Sequence, residues 1–228
     1  MPIPAPPPGD IAPSTPATPP QRTTILGRHV ALEPISPAHS PSLFANLGGE
    51  SNASLWTYIP GAEAPATQEE MDAMVSGWVA SSDPHFYAVV VDGEALGTLA
   101  YLAIVPDHRR IELGFVVLGT KLQKTRAATE AFYLILRQPF EQWGYDRLEW
   151  KANSFNKPSL AAAGRLGFVY EGTFRKHIIT KGHRRDTVWF SITDDEWPLV
   201  KKGLVSWLDD ANFDDEGRQR RSLKEYRS

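Results

Sequence analysis

The stretch "VLGTKLQKTRAATEAFYLIL" (117–136) leaves an apolar strand-like run, crosses a short segment carrying Lys121, Lys124 and Arg126, and settles into a helical pattern. A strand that turns directly into a helix presents unpaired N–H groups and the positive end of the helix dipole, so the junction attracts an anion, commonly a phosphate. On this segment alone, three cations solvating a surface turn explain the pattern equally well. Just upstream, Glu112 alternates with Ile111, Leu113 and Phe115 in "IELGFVV", which turns its carboxylate to the opposite face together with Gly114.

The elements around these residues follow from period and punctuation. "GRHVALEPIS" (27–36) alternates as a half-buried strand, with Val30 and Leu32 inward. A short helical or irregular piece near 37–47 and the aromatic loop "NASLWTYIPG" (52–61) lead to "TQEEMDAMVSGWVASS" (67–82). There Thr67 and Glu70 have capping-box spacing, and Met71, Met74, Val75 and Trp78 share one helical face. Residues 86–117 read as an antiparallel meander of three strands, the first two joined at Asp92-Gly93 and the third being Ile111–Val117. A helix from about Thr125 is kinked by Pro139 near Ile135, whose carbonyl loses its N–H partner, and is closed by Gly144. "RLEWKAN" (147–153) is a strand, "NKPSLAAAGRLG" (156–167) a short helix, 168–193 a hairpin about Lys181-Gly182, and 194–210 a last helix. This order is a mixed α/β domain.

Bulk properties narrow the function classes. With 228 residues, 42% hydrophobic and 22% charged, the chain buries a full core as one domain, expected over 23–210. Residues 1–22 form a Pro-rich extended or disordered tail, and 211–228 a charged, peripheral one. No run of about 18 apolar residues and no signal-peptide pattern is present, so the reading is cytoplasmic with no membrane partner. Cys is absent, which removes disulfides, thiolate metal sites and a cysteine nucleophile. The six His residues lack metal-ligand spacing, so no metal is expected. The net charge of −3 argues against whole-molecule nucleic-acid binding, and "GRQRRSLKEYRS" (217–228) reads as a solvated tail behind acidic "DDANFDDE".

"NSFNKPSLAAAGRLGFVYEGTFR" (153–175) closely resembles the GNAT superfamily of acyl-CoA-dependent N-acyltransferases, in which Asn-x-x-Asn-x-x-Ser precedes a helix ending Gly-Phe-x-x-Glu-Gly. Asn153, Asn156, Ser159, Gly167, Phe168, Glu171 and Gly172 match. "GRHVALEPIS", "IELGFVV" and "RRDTVWFSITDDEW" are also similar to the branch that includes ribosomal-protein N-terminal acetyltransferases, and the likeness covers about residues 25–200. It implies a GNAT-like, mostly antiparallel twisted sheet flanked by helices, with a splayed parallel strand pair, Ile111–Val117 and Arg147–Asn153, holding acyl-CoA. It also implies a pyrophosphate loop at Leu122, Gln123, Lys124, Thr125, Arg126, Ala127 and Ala128, and Asn153, Asn156 and Ser159 along the pantetheine arm. Arg126 departs from the pattern, standing where the family has Gly, and is expected to turn its guanidinium toward the phosphates.

The reaction implied is transfer of an acetyl group from acetyl-CoA to a primary amine by direct attack in a ternary complex. A free alkylamine has a pKa of about 10, so a base must take its proton. Glu112 is the first candidate and Asp186, in "HRRDTVW", the alternative base or an amine-binding carboxylate. Surface pairing of Glu112 with Arg109 or Arg110, and of Asp186 with Arg184 or Arg185, is the structural alternative. Glu171 has a structural role. Ser159 would donate to the departing thiolate, or else serve the first helical turn. A main-chain N–H near Phe115 or Val116 would hold the oxyanion. Trp56 and Tyr58 would wall the acceptor pocket, or form a satellite of the core. The acceptor is a small-molecule amine or a protein N-terminus, a homodimer stays open, and a non-catalytic acyl-CoA-binding module is the competing reading.

Overall fold

The computed structural model describes residues 9–227, so the first eight positions of the Pro-rich segment lie outside the described residues. The elements are β1 (Ile25–Leu26), β2 (Ala31–Pro34), α1 (Ser40–Leu47), α2 (Gln68–Ala80), β3 (His85–Val91), β4 (Glu94–Val105), β5 (Arg110–Leu118), α3 (Arg126–Gln138), β6 (Arg147–Asn153), α4 (Lys157–Leu166), β7 (Val169–Thr180), β8 (His183–Thr193) and α5 (Trp197–Leu208). The eight strands form one sheet in the order β1-β2-β3-β4-β5-β6-β8-β7. Every neighbour is antiparallel except the pair β5–β6. The hairpin turns are the two expected from the sequence, Asp92-Gly93 and Lys181-Gly182, with all four residues at positive φ.

The two sheet faces are covered unequally. α3, α4 and α5 bury the face that carries Leu99, Tyr101, Ile111, Leu113, Leu148, Trp150 and Ile192. On the other face α1 and α2 pack over β3, β4 and the end of β5 through Leu43, Leu47, Met71, Val75, Phe86 and Val117. On that second face, beyond β5, strand alternation presents charged groups from β6 and β8 instead of an apolar layer. Trp56 ends a 3-10 turn (Glu50–Trp56) and is 1% exposed in the α1–α2 core, its indole donating to the Leu47 carbonyl at 2.8 Å.

Two local features of the sequence find tertiary partners. Pro139 ends α3 and opens a π turn (Pro139–Trp143), and the Ile135 carbonyl it orphans accepts the buried Tyr101 hydroxyl. The β1–β2 turn is held by the buried Glu130 of α3, which accepts the N–H groups of Arg28 and His29 at 2.8 and 2.7 Å. A Cβ on Gly27 would lie 2.8 Å from that carboxyl group, so the close approach requires glycine.

The two terminal segments are both docked. Ala17 is buried, and its N–H and that of Thr18 donate to Pro106 and Trp143. The segment after α5 is not the peripheral tail expected. Asn212 and Leu223 are buried, and Arg227 donates to the carbonyls of Gly164 and Arg165.

Candidate active site

The parallel pairing of β5 with β6 runs for three positions only, Arg110 with Arg147, Ile111 with Leu148 and Glu112 with Glu149. Beyond Glu112 and Glu149 the strands separate, leaving the facing edges without ladder partners. β5 also bulges at this point. Between Gly114 and Val117 three steps of β5 oppose the two steps of β4 from Ala100 to Thr98, and Phe115 takes φ +46. The extra residue reverses the alternation, so Phe115 packs beside Phe86 in the α1–α2 core, not with Ile111 and Leu113 as strict alternation predicts. Residues 115 and 116 have no register partner on β4, which puts a widened stretch of main chain beside the gap.

Glu112 stands at the vertex of this gap. It is 8% exposed, and its Oε2 accepts from Lys151 Nζ at 2.7 Å. The expected Arg109 and Arg110 pairings fall elsewhere, with Arg109 on Asp146 (2.7 Å) and Arg110 facing Glu149 (3.9 Å). Burial lifts the Glu112 carboxyl above the usual carboxylate range, although Lys151 pulls it back. Glu149 feels the same burial but is held below its ordinary value by Lys151 and Arg147. Two neighbouring carboxylates therefore differ in basicity, and Glu112 is the stronger proton acceptor.

The loop between β5 and α3 is built to expose a few donors. Its own turns use the N–H groups of Leu122, Gln123 and Thr125, the first two bonding to Gly119 and the third to Leu122. Thr125 caps α3 by accepting the Ala128 N–H at 3.1 Å, and the Gln123 side chain returns to the Leu118 carbonyl at 2.8 Å. Within the segment Leu122–Ala128 expected from the sequence, the amides left free are thus those of Lys124, Arg126 and Ala127, fewer than the whole segment. Lys124, at φ +62, is exposed and forms no ion pair among the described residues, whereas Lys121 is held by Glu94 at 2.8 Å. A cavity of about 580 Å³ opens beside the first turn of α3, lined by Thr125, Arg126 and Ala127 with the β1–β2 hairpin.

Arg126 does not point toward this loop. Its guanidinium donates to the Leu208 carbonyl, pairs with Asp210 at 2.6 Å and lies 4.2 Å above the Phe213 ring. The docked C-terminal segment, invisible to local sequence patterns, supplies the acceptors that draw it away.

On the helix-covered face, Ser159 accepts from the Trp150 indole at 3.0 Å, which leaves its own hydroxyl hydrogen available. The first turn of α4 is capped by Asn156, which accepts the Ser159 N–H at 3.2 Å, so Ser159 is not needed as a cap. Asn153 Oδ1 accepts from the Phe155 N–H at the end of β6.

Two other candidates are placed elsewhere. The Asp186 carboxylate accepts the Lys176 N–H at 2.6 Å, where Lys176 bulges from β7 at φ +50. Alternation along β8 puts Arg185, Thr187 and Trp189 on the Glu112 face and Asp186 on the other, so Glu112 and Asp186 do not form one acidic site. Trp56 is a core residue and cannot wall a pocket, while Tyr58 is half-buried in the turn that follows it. Glu171 pairs bidentately with Arg147 at 2.6 and 2.5 Å and accepts from Ser191, the structural role expected for it.

Three site-facing residues escaped the sequence reading: Lys151, Arg185 and Trp189. Lys151 links Glu112 to Glu149 (2.9 Å) and lies 4.1 Å above the Trp189 ring. The alternation of "RLEWKAN" and "RRDTVWFS" carries the signal, because Leu148, Trp150, Val188 and Phe190 must face the core and their neighbours cannot.

The family model described as acetyltransferase (GNAT) domain matches residues 29–169. The chain belongs to the GNAT acetyltransferase family. Membership makes it an acyl-CoA-dependent acetyltransferase with acetyl-CoA as co-substrate. A GCN5-related N-acetyltransferase from Brucella melitensis is 38% identical, covers 93% of this chain and 97% of that one, and superposes with a TM-score of 0.91. A GNAT-family structure from Chromobacterium violaceum is 36% identical over 87% of this chain and all of that one, with a TM-score of 0.77. Among curated proteins, the SPbeta prophage-derived uncharacterized N-acetyltransferase YokL of Bacillus subtilis is 27% identical over 59% of this chain and 76% of its own length. RimL, the ribosomal L7/L12 alpha-N-protein acetyltransferase, in complex with coenzyme A, shares the fold at 19% identity and a TM-score of 0.65 over 75% of this chain and 98% of that one. No helix among the described residues of this GNAT protein is long and apolar enough to cross a membrane.

Proposed function

We propose that this GNAT enzyme acetylates a primary amine, of a small molecule or a protein N-terminus, by direct attack on acetyl-CoA with Glu112 as the base. The observation that carries the reading is the coincidence of Glu112 with the point where β5 and β6 part. A buried carboxylate of raised basicity there can take the ammonium proton directly or through water. The acceptor approaches from the charged face and the thioester from the gap. The oxyanion that forms is met by main-chain N–H groups of the β5 bulge at Phe115 and Val116. Ser159 donates to the thiolate as it leaves. The pyrophosphate is held by the free amides of Lys124, Arg126 and Ala127, with Lys124 as the nearby cation, and Asn153 and Asn156 flank the pantetheine arm. The folded enzyme unit is residues 23–210 with the docked C-terminal segment bracing the loop through Arg126.

The chain has no Cys to carry an acetyl group, which favours a ternary complex. Initial rates over a grid of acetyl-CoA and amine concentrations test this. Intersecting double-reciprocal lines are expected; parallel lines would mean a covalent acetyl-enzyme and overturn direct attack.

A further inference from the structure

The charged face beyond β5 holds four cations and three carboxylates. Arg147 pairs with Glu171 (2.5 Å) and Glu149 (3.0 Å), Arg110 faces Glu149 (3.9 Å), and Lys151 bridges Glu112 (2.7 Å) and Glu149 (2.9 Å). Arg185 is the fourth cation and stands apart. It is 7% exposed, its Nε is sealed from solvent, and its guanidinium makes no hydrogen bond or ion pair among the described residues. A buried charge is normally paired, because desolvation without a partner is strongly unfavourable. Here Glu112 acts on Arg185 through space alone, and burial draws the guanidinium pKa down.

We propose that Arg185 is the receptor for a carboxylate on the acceptor, so that the acceptor is an amine bearing a carboxylate, of the amino-acid type. The proposal rests on the amine-acetylation reading above. Three carboxylates against four cations leave one positive charge to balance, which a single planar carboxylate does, matching the guanidinium fork bidentately. A doubly charged phosphate would overshoot that balance beside Glu112 and Glu149. A zwitterionic acceptor would place its ammonium at Glu112 and its carboxylate at Arg185, so the two side chains orient the amine for attack. Arg185 is thus a specificity-determining residue.

The test is calorimetric titration of the CoA-saturated enzyme with the N-acetyl derivatives of the twenty amino acids and with the corresponding amides, in the wild type, Arg185→Gln and Arg185→Lys. At least one N-acetyl amino acid should bind the wild type tenfold or more tighter than its amide. That preference should shrink to within twofold in Arg185→Gln and survive in part in Arg185→Lys. Arg185→Gln should melt no lower than wild type, since it breaks no bond. Equal binding of acids and amides, no binding of any acid, or unfolding of the Gln variant would overturn the proposal. So would an equal fall in kcat for acceptors with and without a carboxylate at unchanged KM, which would put Arg185 on the transition state. A melt with acetyl-CoA run in parallel separates the failures: no shift removes the co-substrate reading itself, and a shift without acid preference removes only the role of Arg185.

Discussion

Lys151 Nζ stands 2.7 Å from the Oε2 of Glu112, and this pair lies where the parallel strands of the sheet separate. Lys151 tunes Glu112 as well as fixing it. Burial raises the carboxyl pKa and the ammonium pulls it back, and the net result is a carboxylate more basic than a solvated one.

Removing the ammonium should therefore shift the activity profile in a known direction. Glu112 must be unprotonated to act, so the acid limb of kcat/KM follows its pKa, and Lys151→Met should move that limb to higher pH. The same change leaves two buried carboxylates without their shared partner and should lower stability by about 3–5 kcal/mol. A pH–rate profile and a denaturant titration measure the two effects. A limb that stays put would detach Glu112 from the pH dependence.

Glu149 carries the opposite linkage. Its folded-state pKa is below the ordinary value, so the stability it contributes is present above the unfolded pKa of about 4.3 and is lost as pH falls through the lower folded value. Glu112, raised in the folded state, offsets part of this loss, because its protonation favours the native form. Acid unfolding of Glu149→Gln should begin from a lower starting stability and depend less steeply on pH below about 4.3 than that of the wild type. Thermal melts from pH 3 to pH 7 check this.

Arg126 provides a contrast between binding and bracing. Because its guanidinium engages Leu208, Asp210 and Phe213, Arg126→Ala should leave acetyl-CoA affinity within about threefold, a change smaller than 1 kcal/mol. It should also lower the melting temperature, through loss of a charge pair and a cation–π contact together worth about 1–2 kcal/mol. A tenfold loss of affinity would show instead that the side chain reaches the phosphates.

Tyr101 supports the site from beneath. Its hydroxyl serves the Ile135 carbonyl that Pro139 orphans, so Tyr101→Phe should cost about 1–3 kcal/mol with kcat unchanged. Urea unfolding with matched m-values is the measurement.

The three-strand meander, the kink at Pro139 and both tight hairpins could be read from the chain because each rests on a local signal: period, a missing N–H, or a Gly after a residue that tolerates positive φ. The strand separation beyond Glu112 followed from the resemblance to GNAT proteins and not from periodicity. What stayed hidden depends on distant partners. The orientation of Arg126 is decided by Asp210, more than eighty residues away, and the burial of Trp56 by the core it shares with Met71, Val75 and Phe86. The bulge at Phe115 reverses a face assignment that strict alternation makes. Arg185 and Lys151 look like ordinary strand cations until the sheet sets them beside Glu112.

The most direct test of the account is the rate of CoA release from acetyl-CoA with a panel of primary amines, compared between the wild type and Glu112→Gln. The absence of Cys lets a thiol-reactive dye report released CoA without protein background. The account predicts amine-dependent release that falls about 10²–10⁴-fold in Glu112→Gln and loses its acid limb, while acetyl-CoA binding is preserved. Equal rates in the two proteins, with the acid limb intact in the variant, would contradict Glu112 as the base.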